Sequence, residues 1–206
     1  MARYRDANCK ICRRNKVKLF LKGARCLTAK CAIEKRNFPP GPRVGIPKKM
    51  SEYGRRLREK QKLRFFYGVS EKQIRNYFEK AVSQKGVTGT NLLAHFEKRL
   101  DNLLCRVALA PSRKEARQLV RHRHIFLNGK QVDIPSIIVK PGDVVSVAPA
   151  SVEALKKRFE FVKGQLMPTW LAFEDATHSF KVLHTPERTE MDVPVEEQLV
   201  VEFYSR

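Results

Sequence analysis

The sequence predicts an α+β fold. A helical domain is followed by a small α+β domain, in which two helices pack on a short antiparallel sheet. An N-terminal four-cysteine knuckle precedes both. Three observations predict this. Four of the five cysteines crowd into residues 9–31. Helical periodicity then runs through the middle of the chain. Finally the period changes to that of short strands around Asn128-Gly129.

The knuckle comes first. Cys9, Cys12, Cys26 and Cys31 stand as C-x2-C-x13-C-x4-C. Two close pairs of thiols joined by a loop suit a tetrahedral site, with each sulfur about 2.3 Å from one ion. Both gaps fall inside the usual spacing for such pairs. The segment is too basic to fold on a hydrophobic core, so a metal is the expected organiser. With four thiolates and no open position, its role would be structural. Zinc is the expected ion, and an iron–sulfur cluster of the [4Fe-4S] type is the alternative that spacing leaves open. Two disulfides, free structural thiols and a redox site are the competing readings. Disulfides belong to secreted chains. Met1-Ala2-Arg3-Tyr4-Arg5-Asp6 lacks the apolar region of a signal peptide. No apolar run is long enough for a membrane span. The expectation is therefore a cytoplasmic protein with reduced thiols. Cys105 lies in an apolar helical stretch and reads as a buried, inert thiol.

Phe38-Pro39-Pro40-Gly41-Pro42 closes the arm as an extended hinge, prolonged by Gly45 and Pro47. A helix polar on most sides is predicted from Ser51 to about Phe66, ended by Gly68. Ser70-Glu71-Lys72-Gln73 is a capping box, and Ile74, Tyr77, Phe78 and Ala81 behind it share one helical face. One further helix is predicted from about Asn91 to Val107, with Leu93, Phe96, Leu100, Leu103, Leu104 and Val107 as its apolar stripe. Pro111 stops it. Ser112-Arg113-Lys114-Glu115 opens a helix to about His122, with Ala116, Leu119 and Val120 inward and Arg113, Arg117 and Arg121 on one outward face. Ile125-Phe126-Leu127 reads as a strand, Asn128-Gly129 as a hairpin turn, and 132–139 as a second strand region with Pro135 at an edge or bulge. Pro141-Gly142-Asp143 is a turn, and Val144-Val145-Ser146-Val147 a third strand. A helix from about Val152 to Val162 follows. The apolar ending Leu199 to Tyr204 is expected to dock elsewhere on the fold.

The formal net charge is +21, and it is unevenly spread. Residues 1–64 hold 21 Lys and Arg against 4 Asp and Glu, residues 65–164 hold 18 against 9, and residues 165–206 hold 3 against 8. Self-repulsion on this scale implies an anionic partner. The cations alternate with aromatics, as in Arg64-Phe65-Phe66-Tyr67, and no wide-faced basic amphipathic helix suits a membrane. Nucleic acid is the expected partner. Arg113, Arg117 and Arg121, with Lys130 on the neighbouring hairpin and His122, Arg123 and His124 at the junction, suit a folded RNA read by shape and phosphates.

Ser112-Arg113-x-x-Ala116-Arg117 with Leu119-Val120, then Asn128-Gly129-Lys130 and Pro141-Gly142-Asp143, resemble the small RNA-binding module named after ribosomal protein S-four. Met1-Ala2-Arg3-Tyr4, the stretch Arg56-Leu57-Arg58-Glu59-Lys60-Gln61-Lys62-Leu63-Arg64, and the ending Val201-Glu202-Phe203-Tyr204-Ser205-Arg206 extend the resemblance to the whole chain. The chain resembles the bacterial S-four family of small-subunit (30S) ribosomal proteins, in its metal-binding four-cysteine branch. The resemblance implies direct binding to a multi-helix junction in the 5′ domain of 16S ribosomal RNA, nucleation of 30S assembly and a contribution to decoding fidelity. It implies proteins S-five and S-three as neighbours and messenger RNA as a further partner of some members. It implies no membrane and no small-molecule substrate. The domains expected are a basic metal-binding arm (1–42), a helical domain (43–90) completed by 180–206, and an α+β domain (91–179) whose RNA-binding module spans about 97–160.

The residues expected at RNA are Arg3, Arg13, Arg14, Lys16, Lys22, Arg43, Lys48, Lys49, Arg55, Arg56, Arg58, Lys62, Arg113, Arg117, Gln118, Arg121, His122, Arg123, Asn128 and Lys130. Lys18 joins them as a residue the metal loop would project. Two other readings stand beside this one. Arg99-Leu100-Asp101 is similar to the Arg-Leu-Asp of pseudouridine synthases, whose Asp is a nucleophile, but no further domain remains to build a pocket around it. A zinc-dependent DNA-binding regulator would need the Arg113 helix to enter a major groove. No catalytic residues are expected.

Overall fold

A computed structural model of the chain describes residues 4, 6–41, 50–164 and 167–205. The chain divides into two units, Met1–Leu92 with Val193–Arg206, and Leu93–Asp192.

The first unit opens with helix α1 (Asn8–Asn15), a 3-10 turn (Gly23–Leu27) and helix α2 (Ala32–Lys35). Ile11 and Leu19 are its buried apolar contacts. Helix α3 (Glu52–Tyr67) starts where predicted: the Ser51 hydroxyl accepts from the Gly54 amide at 3.2 Å. Such a cap contributes about 1 kcal/mol. Gly68 ends it in the left-handed conformation at φ 64°, which disfavours a side chain. Helix α4 (Glu71–Val82) is capped by Ser70, which accepts from the Gln73 amide. Ile74, Tyr77 and Ala81 are buried on its face, and Phe78 is half-buried. Helix α9 (Glu197–Tyr204) returns to pack on α3 and α4, with Val200 fully buried.

That return is tied by polar contacts. Arg56 Nε meets Glu202 at 2.7 Å, the Glu196 amide donates to Glu59 at 3.1 Å, and the Tyr204 hydroxyl donates to Glu71 at 2.7 Å. Lys60 also donates to both Glu71 oxygens at 3.0 Å. Burial alone would raise the Glu71 carboxyl. The hydrogen bonds from Tyr204 and Lys60, with the charges of Lys60 and Arg64, outweigh it and hold the carboxyl below its ordinary value. The Tyr204 phenol is driven well above its ordinary value by burial first and by Glu71 second.

The second unit departs from the single helix expected over 91–107. Helix α5 (Thr88–Glu97) stops, and helix α6 (Leu100–Arg106) begins after an extended Arg99 at ψ 137°. Backbone pairing competes with helix continuation here. Arg99 bridges Ile138, the Leu100 amide donates to Ile137, and the Val139 amide donates to Lys98. The predicted apolar stripe is still buried throughout, from Leu93 to Val107. The same pairing explains why 132–139 is not a second full strand. Its middle is occupied by contacts to the α5–α6 junction, including the Asp101 amide on Pro135.

Helix α7 (Arg113–Arg121) is capped by Ser112, whose hydroxyl accepts from the Glu115 amide. The sheet is antiparallel and five-stranded, in the order β2-β1-β3-β5-β4. Its strands are β1 (Ile125–Leu127), β2 (Lys130–Val132), β3 (Val144–Val147), β4 (Leu171–Glu174) and β5 (Ser179–Val182). The register sets Ile125 opposite Val147, and Val145 opposite Phe180. Sequence reading missed the β4–β5 hairpin and placed residues 180–206 with the helical domain. The returning segment instead begins at Val193, and β5 pairs with β3. Helix α8 (Pro149–Lys163) buries Leu155, Phe159 and Val162 in one core with Trp170, Phe180, Val145 and the α6 and α7 apolar residues.

Candidate nucleic-acid interface

A cationic surface sits where α7 runs into the β1–β2 hairpin. The strong amphipathicity of α7 fixes its orientation. Ala116 and Val120 are fully buried, so Gln118, Arg121 and His122 are turned to solvent. Arg123 leaves the helix at φ 62°, and Arg123 and Lys130 are exposed beside it. The His122 and His124 rings lie parallel at 6.1 Å, and His124 Nδ1 lies 2.8 Å from the Ser151 hydroxyl. Asp133 is the acid nearest Arg123, at 3.6 Å between exposed groups. Such a pair contributes little and leaves the guanidinium available.

Arg113 and Arg117 do not share the outward face that their spacing predicts. Arg113 Nε donates to Asn102 at 2.7 Å, and Arg117 reaches Asp101 at 3.3 Å. Buried Asn102 and Asp101 at the start of α6 turn both inward. Asp101 also takes a two-pronged contact from buried Arg99, at 3.0 and 2.7 Å. Glu97, 1 % exposed, accepts from Arg106 and Asn102. Asp101 is thus a structural anion, spent on guanidinium groups and closed to solvent at 4 % exposure. That removes the nucleophile reading of Arg99-Leu100-Asp101.

The turn carries a second adjustment. Asn128 and Gly129 both take positive φ, 50° and 77°, as a two-residue hairpin turn requires. The Asn128 side chain is used within the fold. It donates to Asp143 at 2.9 Å and accepts from the Val144 amide at 2.8 Å. It joins the hairpin to the Pro141–Asp143 turn and so aims Lys130. Gln131, which the sequence did not single out, donates to the Arg123 carbonyl and fixes that strained corner.

In the first unit the expected cations separate into two groups. Arg14, Lys16, Lys22, Arg55 and Arg58 are exposed. Arg13, Arg56 and Lys62 are committed internally. Arg13 donates to the Arg36 and Phe38 carbonyls and lies 4.8 Å from the Phe38 ring centre. Arg56 pairs with Glu202, and Lys62 with Glu59 at 2.5 Å. Lys18 pairs with Glu34. Arg3, Arg43, Lys48 and Lys49 lie outside the described residues.

Cys9 and Cys12 stand on α1, Cys26 in the 3-10 turn, and Cys31 at the start of α2. All four are free thiols. Burial first, then the neighbouring thiols of Cys26, Cys9 and Cys31, raise the Cys12 thiol against a lowering hydrogen bond from Leu19. Burial also raises Cys26, with Cys31 and Cys9 adding to it against the lowering influence of Lys22. Among the described residues, no three His, Cys, Asp or Glu side chains stand closely enough to hold a metal ion as placed. Cys105 is half-buried, and burial raises its thiol against Arg113 and Arg106. No helix among the described residues is long and apolar enough to cross a membrane.

Comparison with known proteins fits this division. Residues 3–97 match the ribosomal protein S4/S9 N-terminal domain, and residues 98–145 match the S4 domain. The second match holds α6, α7, the hairpin and the start of β3. Curated relatives align over their whole length and that of this chain. The small ribosomal subunit protein uS4 of Acetivibrio thermocellus is 51 % identical, and those of Thermodesulfovibrio yellowstonii and Thermus thermophilus are each 49 % identical. The relatives carry the names of ribosomal subunit proteins, not of enzymes. With both domain matches in chain order and about half of all positions identical from end to end, the chain belongs to the uS4 family of small ribosomal subunit proteins.

Proposed function

We propose that this chain is a structural component of the small ribosomal subunit that binds 16S ribosomal RNA directly. The observation that carries the reading is the exposed set Gln118, Arg121, His122, Arg123 and Lys130, clustered on α7 and the hairpin inside the stretch matching the S4 domain. Exposed cations on a rigid helix-and-hairpin scaffold neutralise phosphates while the fixed surface reads shape. The target is a multi-helix junction in the 5′ domain. Binding there early nucleates 30S assembly, and the bound protein contributes to decoding fidelity beside proteins S-five and S-three. Messenger RNA is a further partner of some members of the family.

Family membership and charge support this reading over enzymatic or DNA-binding ones. Chemical probing of the 16S 5′ domain with and without the protein tests it. Protection should concentrate at one helical junction. Uniform weak protection along the transcript would refute it.

The four cysteines supply the knuckle. Their donor set fits zinc: four thiols on three short elements, each within electrostatic reach of others, in a segment with few apolar contacts. Cys9, Cys12, Cys26 and Cys31 would hold the ion, which would draw them together as it binds, since sites of this kind form with their metal. The ion supplies a structural cross-link and no chemistry. Arg13 would help fix the loop on Phe38, while Arg14, Lys16 and Lys22 face RNA. Cobalt substitution gives the test: tetrahedral thiolate absorption should appear with one equivalent of ion and vanish in Cys26→Ala. A brown protein with iron and sulfide bound would favour the cluster instead.

A further inference from the structure

A cleft of about 820 Å³ lies in the first unit between α1 and α3, and it has the makings of a base pocket. One wall is aromatic. Tyr4 and Phe65 meet edge to face, with ring centres 5.2 Å apart. The floor carries the Gln61 amide. Its Oε1 is buried and has no hydrogen-bond partner among the described residues. A buried amide oxygen left without a donor costs free energy unless a ligand satisfies it. The mouth is cationic. Lys10 and Arg14, one turn apart on α1, and Arg58 on α3 are exposed, and among the described residues no acid lines the cleft.

From these three observations we propose that the cleft receives a single unstacked nucleotide of the bound RNA. The base packs against the Tyr4 and Phe65 rings. As the Gln61 side chain turns out of its closed position, an amino or imino N–H of the base donates to Oε1. Lys10, Arg14 and Arg58 neutralise the flanking phosphates. Together the three parts suit a nucleotide, which brings a flat π-face, an N–H edge and an anionic phosphate in one unit. Aromatic stacking on an unpaired base is how proteins read single-stranded positions in RNA. Gln61 is then a specificity-determining residue: it favours a base edge that offers a donor. The inference rests on the RNA-binding reading above and deepens it.

Ultraviolet cross-linking of the full chain to the 16S 5′-domain transcript, with the adduct located by mass spectrometry, tests the proposal. A nucleotide adduct on Tyr4 or Phe65 is expected, with one base protected from base-specific chemical modification. Gln61→Leu keeps the volume and removes the acceptor. It should weaken binding about 10-fold and re-expose that base, with the rest of the footprint and the salt slope unchanged. Phe65→Leu should abolish the adduct at that position and re-expose the same base. A wild-type footprint that persists in full in both variants would overturn the pocket while leaving the RNA-binding function standing. A peptide or protein that competes for the cleft without displacing the base protection would also overturn it. No footprint at all on wild-type protein would remove the functional reading itself.

Discussion

Replacing Asp101 with asparagine isolates the buried ionic joint that holds α6 against α7. The carboxylate meets Arg99 through two contacts at 3.0 and 2.7 Å, and Arg117 at 3.3 Å. The Asp101 side chain is 6 % exposed, that of Arg99 is 2 % and that of Arg117 is 18 %. Asparagine keeps the shape and one acceptor oxygen but removes the charge. The Arg99 guanidinium is then left in the interior facing a neutral amide. Removing one partner of a buried pair costs about 3–5 kcal/mol, and the retained acceptor places this change near the lower figure. A unit of roughly 100 residues shifts its Tm by about 4–8 °C for each kcal/mol, so a fall of about 12 °C or more is expected. Thermal unfolding of the full chain by calorimetry or circular dichroism, at equal protein concentration, measures it. The loss should be non-additive with Arg117→Ala, because the two changes remove the same contact. A Tm within about 4 °C of wild type would refute the claim that Asp101 is a structural anion.

Three further outcomes follow from the same contacts. Arg121→Ala and Lys130→Ala should each weaken RNA binding and lower the salt slope by about one, while Arg13→Ala should loosen the arm to proteolysis and leave that slope nearly unchanged. Tyr204→Phe should cost about 1 kcal/mol near neutral pH, since it removes the donor to Glu71. The signs of the two shifts also set a pH window. The raised Tyr204 contributes fully below the unfolded value near pH 10 and loses its contribution as pH climbs toward the folded value; the lowered Glu71 contributes above about pH 4.3 and fades as pH falls through its folded value. Stability of the α9 docking should therefore decline at both extremes, and the alkaline decline should flatten in Tyr204→Phe, as pH-dependent urea unfolding will show. Chelation of metal, or Cys12→Ala, should expose residues 6–41 to protease while the second unit keeps its melting transition.

Local signals that act within a few residues were legible in the sequence. Ser70 and Ser112 cap their helices as read, and Ser51 caps the helix whose start was read there, because a cap depends on one hydroxyl and an amide three residues on. Asn128-Gly129 makes its turn for the same reason. Misread features depend on partners far along the chain. The break at Arg99 is imposed by Ile137 and Ile138, some forty residues later, against an unbroken apolar stripe. The β4–β5 hairpin hides in an acidic segment. Its signal was the apolar alternation of Leu171 and Phe173, then Phe180 and Val182, around Asp175–His178.

The cationic surface was legible in kind but not residue by residue. Periodicity places Arg113, Arg117 and Arg121 together, yet buried Asn102 and Asp101 take the first two inward. A spacing argument sees the helix face and not the buried acceptors packed against it. Lys10 was readable: it stands four residues before Arg14 on the same face of α1. Gln61 was not, because a polar residue in a charged helix shows nothing of its burial until α1 is packed across it.

The measurement that bears most directly on the central claim is binding of the full chain to the 5′ domain of small-subunit ribosomal RNA over a salt series. Unrelated RNA of equal length and duplex DNA serve as competitors. The account predicts a preference for the ribosomal junction that persists at high salt, where counterion release no longer dominates. Equal affinity for all three, with one shared steep salt slope, would contradict it and reduce the chain to a polycation.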